Sequence, residues 1–457
     1  MQSQSGSHVP IILDRSKSID IRNITVEPYI LPSCTICKHC GAKKFYKESK
    51  GFCCCDGNVK LQLNSVSPEL YELFTSTSCE AIAFKKVART YNNHFAFTSF
   101  SVKYDKKLCK NNRGVYTFNV QGQVYHFINP LLPIDGNPTY LQLYFYDTYN
   151  EISNRLQISN RLSESTLKKL IDILKINPYC RFFRSLSEVS DFDLCYIVLR
   201  SDPGLDQRVY NMPSCEQVAA VWVDDDPSAS IKTRDILIYR HSNTAHRVNY
   251  YYGCYDPLQY PLIFTYGEPG WHEAMKRGKK RITVSCREYY CYKLQIRLSD
   301  KSILLHTGRL QQQYIVDMYV KIETARLDYF HNNQKTIRGE LYQEILDSIQ
   351  NGENRGYKIG KSIVLPTRFI GGPRNLTKRY MDAICLVQRY EKPDVFLTMT
   401  CNLNWPEIKQ ELRHNDSIQN RPDLLARIFR AKLEELKIDL IKREILGPIT
   451  NCLCVCN

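Results

Sequence analysis

The sequence of 457 residues has no apolar run that approaches the ~20 residues needed for a membrane-spanning helix. Its amino terminus, MQSQSGSHVPIILDRSKS, lacks the apolar core of a secretory signal. No G-x-x-x-x-G-K-[ST] motif occurs, and the nearest imitation, Gly356–Ser362, has one residue too few between its glycines. These absences argue against a membrane span and a phosphate-loop ATPase motor in this sequence, and they predict an intracellular protein without an ATP site.

Acidic residues are in deficit. The chain carries 47 Asp and Glu against 62 Lys and Arg, a net charge of +15, and most of the excess lies after Trp271. A basic excess favours a polyanionic partner, because contacts to phosphates release condensed counterions. A basic solvated surface without a partner is the alternative, and charge alone does not separate the two.

Length and composition are those of a folded protein with two or three domains. Apolar residues make up 43% of the chain and aromatic residues 11%, which fits buried cores. We interpret the many tyrosines and phenylalanines as core residues and half-buried strand faces. Stacking on nucleic-acid bases is the alternative use of such side chains.

The 19 cysteines are partly clustered, which in an intracellular protein indicates metal binding rather than disulfides. Cys37-x-x-Cys40 places two thiolates on one tight turn, and Cys53, Cys54 and Cys55 follow after a short interval. Two such turns suit a structural zinc site with a full thiolate set, which leaves no open position for catalysis. Free thiols in a small reducing-compartment domain are the alternative.

The ligand set is open at this point because the second cluster reads C-C-C instead of C-x-x-C. Cys37, Cys40 and Cys53 are the preferred ligands, and Cys34 and His39 are reserves. The nearby Lys43, Lys44 and Lys47 are candidates for contact with DNA.

The stretch Ile363–Ile408 organises the rest of the chain. Gly371-Gly372-Pro373 predicts a turn with Pro at a helix start, where its missing N–H costs nothing. Apolar residues then recur at helical spacing until Lys392–Asp394 ends the helix. Val395–Thr400 is a short β-favouring run, and Pro406 opens a further helix.

This block, GGPRNLTKRYMDAICLVQRYEKPDVFLTMTCNLNWPEI, closely resembles the amino-terminal helitron helicase-like domain of Helitron transposases. The resemblance continues upstream through CREYYCYKLQIR, RLQQQYIVDMYVKIETARLDYF and IRGELYQEILDSI. It covers roughly Cys286–Leu446 and, more loosely, Cys37–Arg155, where LQLYFYDTYNE resembles a block of the family. The family pattern C-x-x-C…F-C-C favours Cys54 over Cys55 as the fourth zinc ligand.

The resemblance implies a fold and chemistry like those of rolling-circle initiators. Such nucleases hold a divalent cation with two histidines that flank one apolar residue, and a helical tyrosine attacks the phosphorus. The strand Phe396–Thr400 corresponds to the first motif of that set. No two of the ten histidines are separated by a single residue. We therefore expect a chain truncated before the His-x-His motif, with 447–457 as an aberrant tail.

Two other patterns resemble a catalytic motif or a metal site, but their context argues against either role. Tyr289-x-x-x-Lys293 has the spacing of the family's nucleophile motif but precedes the FLTMT strand, and we interpret it as a decoy. Asp224–Asp226 follows a predicted strand and precedes a proline, which is typical of a solvated turn rather than a metal site.

The remaining periodicities predict local structure. Helices are expected over Glu69–Thr75, Cys79–Tyr91, Glu164–Leu174, Arg309–Phe330 and Arg421–Leu446. Val115–Ile128 reads as a hairpin about Gln121-Gly122, and Asp193–Phe264 reads as several strands, the last of them within PLIFTYG. Gly267–Gly270 and the basic GKKR at 278–281 are expected to form a linker.

Together these features predict an α+β protein with a zinc-knuckle amino-terminal module, a β-rich middle and an incomplete rolling-circle-initiator-like α/β domain at the carboxy terminus. The expected boundaries are 1–30 (flexible tail), 31–66 (zinc-knuckle module), 67–266 (mixed, β-rich domain), 286–446 (helitron helicase-like domain) and 447–457 (aberrant tail).

The functional hypothesis is a truncated Helitron transposase-like protein that binds DNA, preferentially single-stranded, and lacks complete nuclease and ATPase motifs. Arg374, Lys378 and Arg379, at a helix start after a Gly-Gly turn, are the candidate phosphate contacts, with a solvated helix face as the alternative. A nuclear location and a full-length transposase as partner follow from the resemblance. The alternatives are an active single-strand nicking enzyme with unrecognised or partner-supplied ligands, a structural protein that binds no nucleic acid, and a poorly folded relic.

Overall fold

The computed structural model describes residues 7–13, 29–64, 66–103, 121–133, 136–188, 196–200, 218–222, 236–239, 246–275, 283–298, 302–334, 364–412 and 417–452. Helices and short strands both occur among them, which confirms the mixed α and β class. The chain divides into two compact units. The large unit comprises Met1–Gln2, Leu31–Tyr319 and Leu403–Ala431, and the small unit comprises Ser3–Ile30, Val320–Asn402 and Lys432–Asn457.

The helices of the described residues vary from one turn to seven. They are α1 (Pro68–Thr75), α2 (Cys79–Phe95), α3 (Glu151–Ile158), α4 (Glu164–Leu174), α5 (Pro178–Ser185), α6 (Tyr255–Gln259), α7 (Cys286–Lys293), α8 (Arg309–Asn332), α9 (Pro373–Tyr390), α10 (Pro406–Glu411) and α11 (Pro422–Ile441).

The strands are short. They are β1 (Ser7–Leu13), β2 (Thr35–Ile36), β3 (Lys43–Lys44), β4 (Ser99–Lys103), β5 (Gln121–Ile128), β6 (Tyr196–Leu199), β7 (Ala219–Trp222), β8 (Ile236–Tyr239), β9 (His246–Val248), β10 (Val395–Met399) and β11 (Ile449–Cys452). They form four small sheets with the strand orders β10-β1-β11, β2-β3, β4-β5-β9 and β7-β6-β8. Every pairing in these sheets is antiparallel.

Helix starts follow from local sequence. Ser67 and Ser78 cap α1 and α2, with each hydroxyl accepting a hydrogen bond 3.2 Å from the backbone N–H three residues on. Pro occupies the first helical position of α1 and of α9. All five helices expected from periodicity are present; α2 continues to Phe95, and α11 ends at Ile441, five residues before the predicted end.

An aromatic cluster forms part of the core of the large unit. Phe97 stacks on Tyr144 and Phe183, with ring centroids 5.0 and 5.4 Å apart. Arg155 is fully buried beside it, with its guanidinium 4.9 Å from the Tyr144 ring centroid and 2.8 Å from Glu151. The LQLYFYDTYNEISNR segment therefore contributes packing side chains, as the core interpretation predicts for these aromatics.

Asp317 of α8 ties together three elements of the large unit. Its carboxylate accepts hydrogen bonds from Tyr260 (2.7 Å) and Tyr255 (3.1 Å), both in or beside α6. Nε2 of His126, on β5, lies 2.8 Å from the same carboxylate, and the imidazole stacks on Tyr255 at 3.8 Å. All four side chains are buried, so their polar groups depend on one another for hydrogen bonds.

The predicted hairpin turn at Gln121-Gly122 is wrong. Both residues belong to β5, and Gln121 pairs with Lys103 of β4. Glycine tolerates an extended conformation as readily as a turn, so the dipeptide alone did not fix the turn. The other predicted arm, 115–120, lies outside the described residues.

The predicted strand in PLIFTYG is also wrong. The segment forms buried turns after α6, where the backbone N–H groups of Ile263 and Phe264 both bond to the carbonyl of Tyr260 at 2.9 Å. In a short apolar run that is buried on all sides, polar and apolar residues do not alternate. The sequence pattern therefore does not distinguish a strand from packed turns.

Gly267–Gly270 is packed in the large unit and does not form the expected linker. A Cβ at Gly270 would lie 2.4 Å from Cγ of Asp256, and a Cβ at Gly267 would lie 2.6 Å from the ring of Pro178. The glycines are therefore required for close packing. The GKKR segment lies outside the described residues.

The small unit contains the sheet β10-β1-β11. Ser7–Ile11 of β1 pair with Val395–Met399 of β10, and Ile11–Leu13 pair with β11. The expected flexible tail at 1–30 is thus wrong for Ser7–Leu13, which form the middle strand. Its partners lie far away along the chain, where a local reading cannot find them.

Leu440 of α11 is the buried centre of a small apolar cluster in this unit. The partly buried residues around it come from β10, α11 and the segment that leads into β11, and they are Val395, Leu397, Leu436, Ile445, Leu446 and Ile449. Helix α9 contributes no buried residue. Leu376, Tyr380 and Met381 are each more than half exposed.

Candidate metal centre and nucleic-acid surface

The first cysteine pair lies on a tight turn. The N–H of Gly41 bonds to the carbonyl of Cys37 at 2.9 Å, and the N–H of Cys37 bonds to the carbonyl of Ala42 at 2.9 Å. Gly41 has φ +67°, a left-handed conformation that suits glycine. The turn between β2 and β3 places the thiols of Cys37 and Cys40 on one side.

The second cysteine group lies on a turn with three consecutive left-handed residues. Cys55, Asp56 and Gly57 have φ values of +48°, +55° and +82°. This curl brings the N–H of Gly57 to 3.2 Å from Sγ of Cys54. A hydrogen bond of this kind stabilises sulfur in its thiolate form.

The two turns meet at one point. The Sγ atoms of Cys37, Cys40, Cys53 and Cys54 all lie within 4.8 Å of one another. The Cys37–Cys54 and Cys53–Cys54 sulfur distances are 3.7 and 3.8 Å. Zn–S bonds of 2.3 Å in a tetrahedron place neighbouring sulfurs about 3.8 Å apart. The four thiols therefore fit a four-coordinate metal ion.

The reserve ligands are not part of this group. Cys55, which the family pattern disfavoured against Cys54, also lies apart and points its thiol at Glu288, with Sγ 3.3 Å from Oε1. The structure brings together the four cysteines favoured by sequence, and neither Cys34 nor His39 joins them among the described residues.

The thiols differ in their protonation. Burial alone would raise the pKa of Cys37, but the backbone N–H groups of His39 and Cys40 and the neighbouring thiols lower it to about 6. Burial and the adjacent Cys37 and Cys40 raise the pKa of Cys54 to about 11. The thiols of Cys53 and Cys54, whose pKa values burial raises, thus resist ionisation, and a bound metal ion would stabilise their thiolate forms.

Distant residues of the large unit hold the cysteine turns in place. Nε of Arg297 donates to the carbonyl of Cys40 at 3.1 Å, and the N–H of Lys43 bonds to the carbonyl of Ile296 at 2.8 Å. Arg427 of α11 pairs with Glu48 at 2.6 Å. Sequence reasoning missed these supports, since nothing local marks an arginine as the partner of a residue hundreds of positions away.

The basic residues beside the cysteine turns differ in how far their side chains are already engaged by other groups of the protein. Nζ of Lys43 lies 2.8 Å from both carboxylate oxygens of Glu411, so its charge is largely neutralised. Lys44 donates to the carbonyl of Lys50 at 2.9 Å. Lys47 lies with Nζ 4.9 Å from the ring centroid of Tyr46.

Arg374, Lys378 and Arg379 lie in the first turns of α9, as expected. Gly371 has φ +80°, and the Nδ2 of Asn375 donates to the carbonyl of Thr367 at 2.8 Å, which fixes the entry to the helix. Lys378 is exposed, and the two arginines are half-buried. A helix start with basic side chains suits contact with phosphates.

The predicted FLTMT strand is β10, and its residues alternate between half-buried and exposed. Phe396 is exposed and Leu397 packs near Leu440. Downstream, Asn402 is exposed, and Trp405 is the residue before α10.

Tyr289 and Lys293 are unsuitable as catalytic groups in this structure. Tyr289 is fully buried, and burial raises its pKa well above the ordinary value. Nζ of Lys293 donates to Oδ1 of Asn64 at 2.7 Å. A nucleophile must reach its substrate, so this geometry agrees with the decoy interpretation. Gly356–Ser362 and Asp224–Asp226 lie outside the described residues.

No helix among the described residues is both long and apolar enough to cross a bilayer. Residues 289–456 match the family model for the Helitron helicase-like domain at the N-terminus. No curated protein matches the chain. The matched residues include 447–456, the segment that we expected to be aberrant, and the match lends that expectation no support.

Proposed function

We propose that this chain, which carries a Helitron helicase-like domain over residues 289–456, is a DNA-binding part of a Helitron-type transposase and prefers single strands. The family match is the observation that carries the proposal. The net charge of +15 supports it, because a basic surface attracts the phosphate backbone. The basic start of α9, with exposed Lys378, supplies a surface for such contacts.

The proposal includes binding without cleavage or ATP hydrolysis by this chain. No two histidines in its sequence flank a single residue, and no phosphate-loop motif occurs. Burial of Tyr289 supports the same conclusion.

In this proposal the four-cysteine group binds zinc as a scaffold. Cys37, Cys40, Cys53 and Cys54 form a full thiolate set, which leaves no coordination position for water or substrate. Zinc would fix the two turns against each other, and the chain would act in the nucleus, alongside a full-length transposase.

Fluorescence anisotropy with single- and double-stranded oligonucleotides of equal length tests DNA binding. The full chain should bind the single strand more tightly, and its affinity should fall linearly on a log–log plot between about 50 and 200 mM salt. Absence of binding at the lowest salt would favour the structural, non-DNA-binding alternative.

A parallel assay tests the absence of cleavage. The same oligonucleotides, incubated with the chain and Mg²⁺ or Mn²⁺, should remain intact and should form no covalent adduct that survives denaturing electrophoresis. Metal-dependent nicking would instead support an active nuclease with unrecognised ligands.

A further inference from the structure

A basic cavity lies in the large unit, away from the cysteine turns. It has a volume of about 270 Å³ and is bounded by α2, the corner that precedes α8 and the loop that precedes α11. Four of its lining residues are cationic, namely Lys85, Lys86, Arg309 and Arg421. Among the described residues that line it, none is acidic. We call it the basic cavity.

The cationic side chains of the basic cavity differ in how far neighbouring groups neutralise their charge. Arg421 forms a bidentate pair with Asp423, at 3.0 and 2.9 Å, so its charge is largely neutralised. Among the described residues, Lys85 donates to the carbonyl of Ser76, at 3.3 Å. The ammonium group of the exposed Lys86 has no partner among the described residues. The lining of the cavity thus carries four cationic side chains, and no carboxylate stands among its described lining residues.

The backbone adds to this field. Gly308 and Arg309 line the cavity at the start of α8, a helix of 24 residues. The first N–H groups of a helix carry partial positive charge and lack partners within the helix. Gly308 has φ +58°, a left-handed conformation that suits glycine, and the Asn420 side chain packs against it, with Nδ2 3.3 Å from where a Cβ would lie.

The walls of the cavity are fixed by hydrogen bonds. Nε2 of Gln312 donates to the carbonyl of Gln419 at 2.5 Å, and Nε2 of Gln311 donates to Asp423 at 2.9 Å. The loop itself turns through a bond from the N–H of Asn420 to the carbonyl of Ser417 at 2.9 Å. A site held in this way loses little entropy when it binds a ligand.

We propose that the basic cavity binds a phosphate group of a DNA strand. Its size suits one phosphate or one nucleotide, since pockets for drug-sized ligands begin at about 300 Å³. Phosphates are bound by Lys, Arg and helix N-termini, the groups that converge here. This inference rests on the proposed DNA binding and assigns to it a site that extends beyond the residues 289–456 that match the family, since α2 supplies Lys85 and Lys86 while Arg309 and Arg421 lie within the match.

The test compares two double variants of the full chain that remove the same charge. Lys86→Gln with Arg309→Gln alters the basic cavity. Lys168→Gln with Lys175→Gln is the matched control, because both lysines are exposed, lie in or beside α4 and pair with neighbouring acids. Anisotropy with a fluorescent single-stranded oligonucleotide is measured over a salt series.

The cavity variant should lower the magnitude of the salt slope by about 0.7, the value for one lost phosphate contact on a single strand, and should weaken binding roughly tenfold or more at 0.1 M salt. The control should change both values far less. Lys86→Arg should retain wild-type affinity, because it keeps the charge. Circular dichroism melting curves check that the variants remain folded.

The outcomes are distinguishable. Equal losses in the cavity variant and in the control would overturn the cavity proposal and leave DNA binding intact. A wild-type chain that binds no DNA would overturn the proposed function, and this site with it. A selective loss in the cavity variant, with retention in Lys86→Arg, would support the assignment.

Discussion

The carboxyl oxygens of Glu268 are buried in the turn that was expected to be a linker. Burial raises the pKa of Glu268 to about 7, although its own backbone N–H, the charge of Lys293 and the N–H of Tyr266 act in the opposite direction. A carboxyl group in such a place prefers its neutral form. Folding therefore becomes linked to pH at this residue.

Stability should fall as pH rises past the ordinary pKa of 4.5 and through about 7, because the unfolded chain then releases this proton while the folded state retains it. The loss is on the order of 3 kcal/mol in the free energy of unfolding. Glu268→Gln should remove most of this dependence. Denaturant unfolding curves between about pH 4 and 8 measure it.

Glu164→Gln is the control for this prediction. Glu164 is exposed and pairs with Lys168, a contact that lowers its pKa, so its ionisation favours the folded state, which is opposite in sign to the effect at Glu268. A wild-type stability that is flat over this range, or a Glu268→Gln profile as steep as that of the wild type, would contradict the assignment.

At the scale of elements, α8 and α9 have opposite environments. Helix α8 buries Gln311, Tyr314 and Asp317 among others, whereas α9 buries no residue. Most helical stability comes from packing of an apolar face, since isolated helices of this length are marginal in water. The exposed apolar residues of α9 therefore contribute little to holding it folded.

Backbone amides of α9 should exchange with deuterium much faster than those in the first three turns of α8, because local opening of α9 breaks few contacts. Hydrogen exchange with mass spectrometry on the full chain measures both helices at once. Addition of single-stranded DNA should slow exchange at the start of α9 if Arg374 and Lys378 contact phosphates. Equal protection of α8 and α9 without DNA would show that α9 is covered in solution.

At the scale of the whole molecule, the cysteine turns are not an independent module. Arg297, Glu411 and Arg427 all bond to residues in or beside them, and these supports come from widely separated parts of the large unit. Loss of a bound metal should therefore destabilise more of the large unit than the turns alone.

The full chain should contain one zinc ion, and Cys54→Ser should release it and lower the melting temperature of the large unit by roughly 5–10 °C, the size expected for a loss of two to three kcal/mol in a large domain. Elemental analysis and thermal melts measure the two effects. Cys55→Ser is the matched control, because its thiol points at Glu288 instead. Equal zinc content in both variants would contradict the ligand set.

Much of the local structure follows from neighbouring residues. The caps Ser67 and Ser78 and the proline at the start of α9 are within one turn of the helices they begin, so the chain could be divided into helices before any contact was known. The spacing Cys37-x-x-Cys40 likewise brings two thiols together within one turn. The family resemblance over the later half of the chain also came from contiguous motifs, and the match over 289–456 confirms it.

Contacts between distant residues were decided only by the tertiary structure. The pairing of β1 with β10, the packing of Gly270 on Asp256 and the convergence of Lys86 and Arg309 all join positions far apart in sequence. Bringing such positions together costs chain entropy, which only the packing of the whole unit offsets. By itself the sequence predicted the described helices of eleven or more residues and which cysteines share a turn. The three-dimensional packing decided which distant strands, charges and thiols meet.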